Sequence, residues 1–208
     1  MGWLEDKLAK WERNIDEHAG PGISEKVLGG AEVLADGTPE RRAEWSRTAM
    51  ERLAELVPDI AVREKIMTDR ACVFVEEFGE EPLLKLRNIF KEKGVDAVLE
   101  TMCQDTYKYA KPYRDGNVVY ETKNPSDPAA FAKAETPYEK QVAYCHCPLA
   151  KAAETPVAQP HCCCGGGWYK GIWEFITEKP VRVELLESVM KGDGRCTFAV
   201  HLHEGIVR

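Results

Sequence analysis

A chain of 208 residues is long enough to bury roughly 70% of its unfolded surface, so it needs no disulfide staples to be stable. The formal charge is −7 and no Lys/Arg cluster stands out, which removes the electrostatic footprint of a nucleic-acid binder. No apolar run approaches the ~20 residues of a membrane span, and residues 1–20 lack the apolar core of a signal peptide, so a cytoplasmic protein without membrane contact, its thiols reduced, is expected.

In chain order, the first half reads as helix. Trp3, Leu4, Leu8, Trp11 and Ile15 recur at three and four and describe one amphipathic face, stopped by Gly20-Pro21-Gly22. The two tryptophans on that face read either as a homodimer surface or as a core stripe. A short helix follows from Ser24, as cap, to Ala35. Thr38-Pro39 is a start signal, a capping residue with proline at the first helical position, for a helix to about Leu56. Pro58-Asp59 restarts the chain into a helix from Ile60 to Glu77, and 81–93 and 95–107 make two more around Gly94.

Composition changes near Lys111. Arg114-Asp115-Gly116-Asn117 is a turn signal, and Val118 to Thr122 is a strand. Residues 124–137 read as a surface loop with one helical turn at Pro128–Ala134, and Val142-Ala143-Tyr144 as a strand leading into Cys145. An apolar helix begins at Trp168 and ends before Pro180. Val181, Val183 and Leu185 alternate as a strand, and Cys196, Phe198, Val200 and Leu202 as the last one. The expected fold is therefore α+β, a helical region over 1–110 packed on a small antiparallel sheet in a Cys-rich part over 111–208.

Five of the eight cysteines lie between Cys145 and Cys164, as Cys145-His146-Cys147-Pro148 and His161-Cys162-Cys163-Cys164-Gly165-Gly166-Gly167. Soft ligands at this density point to a metal, zinc first and an iron–sulfur cluster second, the Cys-x-Cys spacing not deciding between them. In extended chain residues i and i+2 share a side, so Cys145 with Cys147 and Cys162 with Cys164 are the first-choice ligands. Cys163, Cys196, His146 and His161 are held in reserve. Cys72 and Cys103, single in helices, read as buried structural cysteines. Cys164, placed just before the glycines and an apparent helix start, is the candidate nucleophile, its thiolate favoured by the helix dipole. Tyr144, Trp168, Tyr169 and Trp173 read as core rings or as the lining of a pocket. His201 and His203 read as solvent-facing, and Arg182 with Glu184 as a surface ion pair.

The tail carries a resemblance. The series Pro180-Val181-Arg182-Val183-Glu184, Glu187-Ser188, Gly192-Asp193 and Cys196-Thr197-Phe198, preceded by a Gly-Trp helix, resembles the vinyl-reductase-type ligand-binding domain over roughly the last 65 residues. It is similar as well to the thiazoline-carboxylate hydrolase group and to uncharacterised Cys-rich anaerobe proteins. The resemblance implies helices that cover a small antiparallel sheet and enclose a pocket for an apolar or aromatic molecule. In zinc-containing relatives, cysteines at the positions of Cys162 and Cys196 hold the metal. This chain has Ser188 where those relatives have a further cysteine and Leu185 where they have a ligating glutamate. Cys145, Cys147 or Cys164 must then complete the set. The expected function is a metal-thiolate sensor or carrier of a small apolar molecule, with a hydrolase or a thiol redox module as the alternatives.

Overall fold

The computed structural model describes residues 3–71, 74–147, 151 and 162–206. The fold is α+β, with a four-stranded antiparallel sheet among many helices. Two compact units make it up, and they interleave along the chain. One comprises 1–70, 125–164 and 189–192, the other 71–124, 165–188 and 193–208.

The first unit is helical. It holds α1 (Trp3–Ala19), α2 (Ile23–Leu28), α3 (Val33–Asp36), α4 (Pro39–Leu56) and α5 (Ile60–Asp69). Thr38 caps α4 as its sequence predicts, the side chain accepting from Arg41 N, and Asp59 caps α5 by accepting from Ala61 N and Val62 N. The helix expected over 24–35 is instead α2 and α3. It starts one residue early because Gly22, at φ 77°, supplies a left-handed N-cap, and Ser24 N donates to Asp16 Oδ1. Trp11 is 2% exposed, edge-on to Trp45 and under the Arg70 guanidinium, so this tryptophan belongs to the core stripe. The side chain of Trp3 lies outside the described residues.

Two further helices of this unit, α10 (Pro128–Lys133) and α11 (Pro137–Tyr144), pack together. The strand expected at Val142–Tyr144 is therefore the last turn of a helix. Thr136 and Glu139 form a capping box around Pro137 at N1, and Ser126 N and Asp127 N donate to the terminal carbonyls of Tyr144 and Ala143. Both ends of α11 are satisfied, which outweighs the β preference of a lone Val-Ala-Tyr.

The second unit carries the sheet. Helices α6 (Phe74–Phe78), α7 (Glu81–Lys93), α8 (Val95–Met102) and α9 (Thr106–Tyr109) precede β1 (Tyr113–Asp115) and β2 (Val118–Thr122). The helix expected to run to Glu77 is thus two, α5 ending at Asp69 and α6 opening at Phe74, and Cys72 lies outside the described residues. Strands β3 (Arg182–Glu187) and β4 (Thr197–His201) complete the order β1-β2-β4-β3, every neighbour antiparallel. Phe198 pairs with Glu121 across β2 and β4, and a register shift lies between Leu185 and Glu187 in β3. Arg182 and Glu184 form the expected exposed pair, at 3.2 Å. No described helix is long and apolar enough to cross a membrane.

Helix α12 (Cys163–Thr177) runs from the first unit into the second. It begins five residues before the expected Trp168, with the three glycines inside its first turns. Two of them are there for closeness: a Cβ at Gly165 would stand 2.7 Å from Phe198 Cζ, and one at Gly166 3.3 Å from Val183 Cγ1. Glycine lets the helix backbone lie directly on the rings of the sheet.

Candidate functional site

The sulfur-bearing residues of the first unit are placed by three elements. Cys145 is the C-cap of α11 in extended conformation (φ −70°, ψ 137°), its N–H donating to Gln141 O. Cys147 follows two residues on, and both are half-buried, with His146 exposed between them. Cys162 immediately precedes α12. The third element is a 3₁₀ turn, Val189–Lys191, on which α11 packs.

That turn brings in a residue the sequence reading passed over. Cys162 Sγ points at Met190 Sδ from 3.0 Å, a weak thiol donor against a weak thioether acceptor. Met190 is held there by its loop. Ser188 N donates to Asp193 Oδ2 at 2.8 Å and Asp193 N to Ser188 O at 3.2 Å, pinching the ends of the segment together. Gly192, at φ 96°, makes the reversal that a side chain would strain. Met190 thus contacts Cys162 and sits on a turn that carries α11, whose end is Cys145. A methionine in such a loop has no sequence signal apart from its softness as a donor.

The helical start at Cys163 corrects one expectation. Cys162 and Cys164 were paired on extended geometry, but Cys163 and Cys164 are the first residues of α12. Successive helical side chains turn by about 100° along a helix, so the i, i+2 rule of a strand does not apply there. Cys164 is half-buried inside the first turn and not ahead of it. Cys163 is buried at 7% exposure, its carbonyl accepting from Thr68 Oγ1, and burial, with the negative charge of Glu64 next, pushes its thiol up to about 12. Such a thiol is protonated at neutral pH and inert. Against the ordinary thiol value of 9.0 that is a large loss of thiolate, so alkylation by iodoacetamide at pH 8 should leave buried Cys163 unlabelled, whereas the reagent can reach half-buried Cys164. Equal rates at the two, read by peptide mass spectrometry, would show that Cys163 is not shielded.

The remaining predicted residues are dispersed. Cys196 lies in the second unit, 9% exposed, its carbonyl accepting from Lys123 N. Cys103 directs its thiol at Pro112 O from 3.4 Å. His201 Nε2 is 3.3 Å from Glu184 Oε2, and exposed His203 accepts from Gly205 N. His161 lies outside the described residues. Among the described residues, no group of three or more His, Cys, Asp and Glu side chains is arranged to hold a metal ion. Of the ring residues, Tyr144 belongs to the first unit, 2% exposed and edge-on to Phe131. Trp168, Tyr169 and Trp173 belong to the second, packed on Phe74 and Phe78, on Phe198, and under the sheet respectively.

The second unit holds one group that sequence reading took for an ordinary strand residue. Glu121 on β2 is fully buried; its Oε1 accepts from Trp173 Nε1 at 2.8 Å, and its Oε2 has no hydrogen-bond partner among the described residues. Burial raises its carboxyl to about 8, with the indole N–H pulling partly the other way. Nearby Tyr109 is pushed up to about 12, by burial first and then by Asp105 and Glu121. The alternation of β2 marks Val119 and Glu121 as its inward face, and that pattern was the signal available.

Residues 119–207, less than half of the chain, match the model of a family of unknown function, DUF6144. No curated protein and no solved structure matches the chain.

Proposed function

We propose that this protein binds a soft metal ion through thiolates of its first unit: Cys145, Cys147 and Cys162, with Cys164, His146 and His161 as further donors. The observation that supports it most directly is the placement of Cys162 on Met190 of the 3₁₀ turn that also carries α11 and its terminal Cys145. Thiolates with a histidine at hand suit zinc, or another ion of the soft class, and an iron–sulfur cluster is the second choice. A bound ion would replace the thiol protons and tie together an α11 end and an α12 start that are far apart in sequence. That is the way structural metals contribute to folding. A role as sensor or carrier of a small apolar molecule, acting in the cytoplasm, rests on the motifs of the tail and on the reduced thiols such a role requires.

Elemental analysis of anaerobically purified full chain tests the reading. The wild type should carry close to one equivalent of metal, and Cys145→Ser and Cys162→Ser should each bring it near background. A wild-type preparation that melts cooperatively without metal, and takes up none on reconstitution, would overturn it.

A further inference from the structure

We infer that Met190 is itself a ligand of this centre and that the thioether biases it toward a monovalent soft ion, copper(I), over zinc. The inference rests on the thiolate site proposed above and narrows its ion. Zinc centres are built from thiolate, imidazole and carboxylate donors, whereas a thioether is a neutral, polarisable donor that binds soft ions. A methionine set beside zinc-type ligands would add nothing to zinc. Beside copper(I), which is content with few donors, it supplies one more without adding charge.

Met190 is positioned as a ligand would be. Its sulfur meets Cys162 Sγ at 3.0 Å, and its loop is closed at both ends by the Ser188–Asp193 hydrogen bonds. Among the described residues the other methionines fill core: Met50, Met67 and Met102 are 2%, 0% and 0% exposed, while Met190 is half-buried. On binding, the Cys162 thiol loses its proton to solvent, and the two sulfurs, 3.0 Å apart in the structure, separate to take copper(I) between them. The metal enters and stays as copper(I), so no electron is transferred.

The test uses the full chain, titrated anaerobically with copper(I) supplied as its acetonitrile complex against bicinchoninate, and separately with zinc against a chromophoric chelator. Met190→Leu conserves volume and should fold. It should weaken copper(I) binding at least tenfold and leave zinc affinity within twofold. Equal copper(I) affinity in both proteins, or an equal loss for both metals, would overturn the role of Met190 while leaving the thiolate site standing. Wild type that binds neither ion removes the site itself. A second measurement does not depend on the variant: selenomethionine-labelled protein loaded with copper(I) should show selenium in the copper shell by X-ray absorption. Met50, Met67 and Met102 are buried in the core, and the same measurement on Met190→Leu accounts for Met1, so a shell without selenium in the wild type overturns the inference.

Discussion

Glu121→Gln should make the protein more stable by roughly 5 kcal/mol at pH 9 and leave it nearly unchanged at pH 4. The carboxyl sits at about 8 in the folded chain against 4.5 when solvated, because burial disfavours its charged form. Below 4.5 both states are protonated and the group contributes nothing to the pH dependence. Between 4.5 and 8 the unfolded chain has given up a proton that the folded chain still holds, so stability falls as pH rises. Above 8 both states are ionised and the full penalty remains. Glutamine keeps the shape and the acceptor for Trp173 Nε1 and has no proton to lose. Urea unfolding of the two proteins from pH 4 to 9 should give curves that meet at low pH and diverge through the neutral range. Curves parallel over the whole range would mean that Glu121 is solvated.

Phe198→Ala should cost about 3–5 kcal/mol, since the ring is 2% exposed and fills the space between β4 and α12. The informative result lies in its pairing with Gly165. In wild type, Gly165→Ala places a methyl 2.7 Å from Phe198 Cζ, and a buried ring cannot swing aside, so overpacking of about 1–3 kcal/mol exceeds the gain of roughly 1 kcal/mol in helix propensity. In the Phe198→Ala background the clash is gone and the same substitution should stabilise. This reversal of sign, read as a double-mutant cycle by denaturant unfolding, tests whether the glycines serve a close approach. Destabilisation in both backgrounds would point to some other need for glycine at 165.

Alternation placed β2 and β3 correctly, because strands more covered on one face than the other must alternate, and it placed β4 as well although Thr197 to Val200 are buried on both faces. The capping pair Thr38-Pro39 placed α4 for an equally local reason. Local rules misplaced α11, although Thr136-Pro137-Tyr138-Glu139 carries a capping signal as clear as that of α4. There the β-forming Val142 and Tyr144 drew the reading toward a strand that the terminal bonds from Ser126 and Asp127 rule out.

The sequence by itself determined the α+β character, the three long strands and the concentration of thiols in one stretch, since each follows from residue type and spacing. Only the tertiary structure decided that Gly165 and Gly166 lie inside a helix against Phe198 and Val183 and that Glu121 sits unsolvated against Trp173. It alone set Met190 on Cys162. Those are contacts between residues 17 to 52 positions apart, made by packing that no local pattern encodes, and they fix the electrostatics of the carboxyl and the company of the thiol.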